Sequence, residues 1–250
     1  MQARSSEPAS LEEQAYHQLR QALVEGAFPP GQKLSIRRVA AALGTSPMPA
    51  RTALRRLAAE QAVDLLPSGT AIVPRLTRAA FTELSTIRAQ LEPLAARMAV
   101  PRCDRAVVKQ LSAILATELS ARQAGDPEAV LRADREFLFA LYRAAAAPML
   151  LGMIESTWLR RGPMFHDARW LIVTRPPGVT HHAAMLKQLR RGAAEEVAAL
   201  LRAEIESATA FLLERMPFAD DIDRDGQLSS LTLVSPRRPA PSRGAAKPRP

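Results

Sequence analysis

Between Leu34 and Leu57 the chain carries two short apolar periodicities separated by a single glycine, a pattern that few folds accommodate. Ile36, Val39, Ala40 and Leu43 share one helical face, Gly44 interrupts, and Ala50, Ala53, Leu54 and Leu57 form a second face at i, i+3, i+4, i+7. The spacing predicts two short helices joined by a tight turn, a helix-turn-helix. Ser46 is placed to cap the second helix, with Pro47 and Pro49 in its first turn, where backbone N–H groups have no intrahelical partner to lose. With the apolar face turned inward, Arg51, Thr52 and Arg55 point outward, near the N-terminal half that a recognition helix presents to the major groove. Taken alone, the same pattern describes an amphipathic pair with a solvated arginine face. The following residues favour DNA. Ala62–Leu66 and Thr70–Val73 read as two short strands around the turn Pro67-Ser68-Gly69, a wing whose tip can approach a minor groove because Gly69 has no side chain to obstruct it.

The run from Ala15 to Val73 resembles the N-terminal domain of GntR-type transcription regulators of the FadR subfamily. The matching pieces are the helix Tyr16 to Glu25 with Leu19-Arg20, then Gly26, Pro30-Gly31 and Leu34, then Ser46, Pro49, Arg51, Ala53-Leu54, Leu57 and Gly69. The resemblance implies that Arg37, Arg51 and the residues around Ser46, namely Thr45 and Met48, contact operator DNA. Thr52 and Arg55 join them from the outer helix face, and Ser68 and Gly69 from the wing tip. Two positions depart from the family pattern. Pro47 stands where an arginine is usual and Thr52 where a glutamate is usual, which alters the side chains offered for base readout.

The 250 residues carry a net charge of +9 and a pI near 10.8, and 47% are hydrophobic, enough for two domains. A basic excess of this size suits a polyanion and makes binding salt-sensitive, although charge alone is equally compatible with RNA or an anionic membrane. Cys103 is the single cysteine, so no intrachain disulfide forms, and the first ten residues lack the apolar segment of a signal peptide; the expected compartment is the reducing cytoplasm. No apolar run approaches the roughly 18 residues that span a bilayer. Ser10 and Glu13 form a capping-box pattern before Leu11, Ala15, Leu19, Ala22 and Leu23, and Gly26 with Pro29-Pro30-Gly31 ends that helix. The expected organisation is a flexible start over 1–9, a winged helix over 10–75, an all-helical effector-binding and dimerisation domain over 76–217, and a disordered tail over 218–250. Pro74 to Thr77 is a linker with little slack.

From Thr77 onward the pattern is helical, punctuated by Thr77, Pro101, Asp104, Gly125-Asp126-Pro127, Pro148, Gly162-Pro163 and Pro176-Pro177-Gly178, giving six or seven helices in a mainly α protein. The segment from Phe81 to Ala99 resembles the opening helix of the FCD ligand-binding domain through Ile87-Arg88, Leu91-Glu92 and Ala95-Ala96, and Pro93 is expected to kink it. The FCD pattern implies a divalent transition metal (Zn, Mn or Ni) held by an aspartate, a histidine four residues on, and two later histidines. Asp134 and His182 fall at two of these places, while Leu138 and Glu204 replace the other two ligands. Three readings follow. The metal is retained, with Glu204 and a water completing the set. Or it is lost, and buried Asp134 and Glu204 pair with Arg88 or His182. Or both acids lie on helix surfaces. By the same resemblance Arg88 lies near an effector pocket, where its fork suits a carboxylate; the alternative is a salt bridge to Glu92.

His181 is expected to be solvent-exposed, and Trp158 and Trp170 to be packing residues. Asp221 to Thr232 imitates part of a calcium loop, but Thr232 replaces its bidentate glutamate, so a flexible acidic linker is the better description; the basic, proline-rich residues after Ser235 read as a solubilising tail. Together these features describe a sequence-specific, double-stranded DNA-binding regulator, a repressor by expectation. By the family resemblance it is expected to act as a homodimer controlled by an organic-acid metabolite, and not to be an enzyme. The alternatives are an architectural DNA binder without an effector and a helical-bundle metalloenzyme.

Overall fold

The computed structural model describes residues 10–173 and 181–221. Its first helix starts where the sequence supplies a cap: Ser10 Oγ accepts from Glu13 N, and α1 (Leu11–Val24) follows. The capping box closes on one side only, because the Glu13 carboxylate turns to Arg56 at 2.6 Å and His17 at 2.9 Å. Ser35 caps α2 (Ile36–Ala42) through Arg38 N. Ser46 stands at the N-cap of α3 (Pro47–Ala59) without a capping bond. The reason is local: a cap serves the N–H of the second or third helical residue, and the third is Pro49, which has none.

The wing is smaller than the sequence pattern suggests. β2 (Asp64–Leu65) and β3 (Ala71–Ile72) pair antiparallel, and Gly69 turns the chain between them at φ +81°. β3 also pairs with β1 (Lys33–Leu34), giving the order β1-β3-β2. Sequence reading missed β1, since two residues are too few to show alternation. Leu23, Ala50, Ala53, Leu54 and Leu57 fill the core of this unit, together with Leu159, which arrives from the helical part of the chain.

That part comprises α4 (Arg78–Ala99), α5 (Arg105–Ala124), α6 (Pro127–Ala144), α7 (Pro148–Arg161), α8 (Met164–Val173), α9 (His182–Leu189) and α10 (Ala194–Arg215). Thr77, Asp104 and Asp126 cap α4, α5 and α6, and α4 continues through Pro93. A main core around Phe137, Leu141, Tyr142, Ile154, Trp158 and Leu201 is joined by a smaller one of Phe81, Met164, Ala168, Leu212, Met216 and Phe218.

The structure departs from the sequence pattern at two places. The tail does not begin at 218: Phe218 is buried, and Arg78 clasps Asp221 through two hydrogen bonds of 3.0 and 2.7 Å while its backbone N–H donates to Asp220. Asp221, the first acid of the calcium-loop look-alike, is thus an ion-pair partner; the rest of that loop, the tail, residues 1–9 and Pro176-Pro177-Gly178 lie outside the described residues. Trp170 is not a packing residue, being 62% exposed, whereas Trp158 is buried.

The winged helix rests directly on the helical body. Gly162, at the end of α7, lies so close to α1 that a Cβ there would collide with the Leu23 carbonyl oxygen. Arg135–Glu25 at 2.8 Å, Arg75–Asp167 at 3.1 Å and Arg20–Glu155 at 3.5 Å flank this contact.

Candidate DNA surface and bundle site

On the winged helix, Arg37, Ser46, Met48, Arg51, Arg55 and Ser68 are exposed, and Met48 is 60% accessible at the start of α3. Arg51, Arg55, Ser68 and Gly69 come together in a groove between α3 and the wing. Two expected contacts face elsewhere. Thr45 turns its hydroxyl inward, where it has no hydrogen-bond partner among the described residues, and half-buried Thr52 donates to Glu12 at 3.3 Å. Arg56, one residue past Arg55, is structural: it binds Glu13 and lies over the Tyr16 ring.

Inside the helical body, α6, α9 and α10 bring Asp134, His182 and Glu204 together, donor atoms of all three lying within 4.8 Å of one another. His182 is fully buried at the first position of α9. Its Nδ1 lies 2.7 Å from Glu118 Oε2, and the Phe137 ring stacks on it at 4.2 Å. Its Nε2 faces Glu204 Oε1 at 3.5 Å and Asp134 Oδ1 at 3.7 Å but makes no hydrogen bond among the described residues. Glu118, on α5, was not identified from sequence; its i+4 pairing with Arg122, at 2.9 Å, is the one local sign that it is engaged. Glu204 also accepts from the backbone N–H of His181 at 3.0 Å. The surface reading of the two acids is therefore overturned, and His181 is half-buried, not solvent-exposed.

The electrostatics follow from this packing. Burial opposes a charge on His182, but the Glu204 carboxylate, the Glu118 hydrogen bond and Asp134 outweigh it and hold the imidazole at about 9, so it is a cation at neutral pH. Burial raises Asp134 and Glu204 despite the nearby imidazolium. Glu118, though desolvated, is lowered overall by His182 and Arg122.

The donor set fits a divalent ion. A buried imidazole nitrogen without a partner faces two carboxylates at separations close to those spanned by ligands each about 2.0–2.2 Å from one centre. Glu118 on Nδ1 stands where an outer carboxylate would fix the orientation of a metal-binding histidine. Leu138, buried on α6, offers no ligand.

A second buried group adjoins the first. Glu92 is wholly enclosed and accepts from Arg88 at 2.7 and 3.2 Å, Tyr142 at 2.6 Å and Trp158 at 2.8 Å. Arg88 therefore borders the cavity with its charge already matched. Sequence reading missed the less satisfied cation, Arg161, which is 7% exposed and lies over the Trp158 and Phe165 rings at 4.1 and 4.4 Å. Among the described residues its Nε has no hydrogen-bond partner, and no carboxylate is within ion-pair distance. Burial and the neighbouring Arg88 charge pull it down to about 9. Arg161, Arg88, Asp134, Leu138, Glu204 and Phe165 wall a cavity of ≈ 60 Å³.

Comparison with known proteins identifies both parts. The bacterial regulatory protein gntR family matches residues 11–73, and the FCD domain family matches residues 83–207. The HTH-type transcriptional regulator McbR of Escherichia coli K12 is 33% identical over 157 residues, covering 63% of this chain and 71% of that protein. The solved structure of E. coli McbR/YncC aligns with TM-score 0.76 and 28% identity, covering 83% of this chain and 99% of that one. A GntR transcriptional regulator from Rhodococcus sp. RHA1 aligns with TM-score 0.68 and 25% identity over 84% of this chain and all of that one. These relatives are regulators, which sets aside the metalloenzyme alternative, and no described helix is long and apolar enough to cross a membrane. The chain belongs to the GntR family of DNA-binding transcription regulators, with an FCD domain following its winged helix.

Proposed function

We propose that this regulator is a cytoplasmic repressor whose operator affinity is set by an organic acid bound in the FCD cavity. Residues 10–75 form the DNA-reading unit and residues 76–221 the effector-binding and dimerisation unit. Two chains pair through the helical parts and place their winged helices on two half-sites of a near-palindromic operator. Arg51 and Arg55 read base edges in the major groove, with Met48 beside them; Arg37, Ser46 and Ser68 hold phosphates, and Gly69 lets the wing approach the backbone. Thr45 and Thr52 support this surface from within.

The observation that carries the effector reading is Arg161, a buried guanidinium with no carboxylate partner among the described residues, at the wall of the cavity. A carboxylate entering there gains a charge-assisted contact and relieves the desolvation of the cation. Asp134, His182 and Glu204 would hold Zn, Mn or Ni, a positive centre for a second carboxylate oxygen. The three carboxylates Glu118, Asp134 and Glu204 face three cations, protonated His182, Arg122 and Arg161. Exchanging the His182 proton for a divalent ion leaves the cluster one positive charge in excess, which an anionic effector offsets. Because a ligand shifts DNA binding only through differential affinity for two arrangements, the effector must bind the released form more tightly. The test is fluorescence anisotropy with operator DNA alongside thermal shifts with carboxylic acids and with Zn, Mn and Ni. Arg161→Gln keeps operator binding and loses the acid response; an undiminished response refutes the reading.

A further inference from the structure

The cavity at Arg161 is small for the effector it receives. Its ≈ 60 Å³ accommodates a few water molecules, whereas sites for small organic ligands run to about 300–1,000 Å³. Two of its wall residues, half-buried Leu131 and Phe165, also wall a second cavity of ≈ 320 Å³ on their other side. This outer cleft lies between the DNA-reading unit, which contributes Glu25, Gly26 and Ala27, and the helical body, which contributes Arg132, Arg135 and Arg169. Across it His166 Nδ1 lies 3.2 Å from the Gly26 carbonyl oxygen. Arg135 pairs with Glu25 at 2.8 Å and Arg169 with Glu128 at 3.4 Å, while exposed Arg132 has no ion pair among the described residues. The cleft thus has an unmatched cation at its outer wall, as the inner cavity has in Arg161. Leu131 and Phe165 belong to both walls, their side chains can change rotamer, and Phe165 lies under Arg161 itself.

We propose that the inner cavity and the outer cleft are two ends of one site, and that its ligand is a short-chain organic dianion. One acidic group binds Arg161, displacing the guanidinium from the Phe165 ring, and the other binds Arg132 with Arg135 and Arg169. The DNA-reading unit is then part of the ligand site. When Arg135 turns from Glu25 to the ligand, an ion pair joining the winged helix to the body is lost, and this links occupancy to the position of the DNA-reading surface. The inference rests on the reading of the Arg161 cavity as the effector site.

Calorimetric titration of the full-length protein with butyrate, succinate, valerate, glutarate, hexanoate and adipate tests it, using Arg132→Ala and Arg161→Gln, with circular dichroism as a check on folding. In the unaltered protein one diacid is expected to bind at least tenfold more tightly than the monoacid of equal length. Arg132→Ala removes that advantage and leaves the monoacid unchanged; Arg161→Gln weakens both. Equal binding of diacids and monoacids, with Arg132→Ala silent but Arg161→Gln weakening both, overturns the joined site while the inner effector cavity stands. If no acid binds, or Arg161→Gln changes neither, both readings fall.

Discussion

On the proposed metal reading, a proton and a divalent ion would compete for the same atom, His182 Nε2, and the competition would give opposite pH dependences that solution measurements can separate. In metal-free protein, burial opposes the imidazolium while Glu204, Glu118 and Asp134 favour it, and the folded-state value rises from 6.5 to about 9. A base whose folded value is raised contributes stability in full below its unfolded value, here about 6.5, and loses it as pH rises through about 9. At 1.36 kcal/mol per unit the difference is about 3 kcal/mol, or roughly 6–12 °C in melting temperature for a chain of this length. Chelator-treated protein should therefore melt progressively lower from pH 6.5 to 9, and His182→Gln should flatten most of that slope. With Zn, Mn or Ni the sign reverses: the ion must displace the Nε2 proton, so the stabilisation it confers grows with pH across the same window. Differential scanning fluorimetry at half-unit pH steps, with chelator or saturating metal, gives both curves. A metal-free slope unchanged by His182→Gln, or a metal effect independent of pH, refutes the assignment of Nε2 as the shared position.

Other expectations follow from the same geometry. Arg51→Ala should weaken operator binding by about 1–3 kcal/mol and blur preference at one base pair; equal loss on every sequence, read by anisotropy, would show a phosphate contact instead. Gly162→Ala forces a methyl group against the Leu23 carbonyl and should cost about 1–3 kcal/mol while loosening the winged helix from the body, read as a lower melting temperature and faster proteolysis near Pro74. Glu92→Ala strands Arg88, Tyr142 and Trp158 together and should destabilise by about 3–5 kcal/mol in urea unfolding. Arg161→Met replaces a buried cation lacking a carboxylate with an apolar chain. Burial pulls Arg161 down to about 9, and two ring contacts offset part of that cost, so the variant should be more stable by about 2 kcal/mol at neutral pH while losing its response to acids.

The features legible in the sequence are those written in short-range signals. The helix-turn-helix, the wing turn at Gly69 and the caps Ser10, Thr77, Asp104 and Asp126 each depend on residues within a few positions of one another, and a helical period or an N-cap needs no distant partner to be recognised. Asp134, His182 and Glu204 were legible through family resemblance, which named the positions without saying what surrounds them. Tertiary structure decided the partners. Glu118 on α5 meets His182 on α9, and Glu92 on α4 gathers Tyr142 from α6 and Trp158 from α7, because helix packing chooses which apolar faces meet and carries their polar residues along. The same packing buries Trp158 and leaves Trp170 exposed, although both stand in apolar helical surroundings in the sequence. It also seats Leu159 in the winged-helix core and Arg161 at the inner cavity within three residues of α7, so the element that walls this cavity also supports the DNA-reading unit. Periodicity gives the apolar side of a helix, but Arg161, which lies over Trp158 of its own helix and Phe165 of α8, is enclosed by residues of α4, α6 and α10, and that enclosure exists only once the helices have packed.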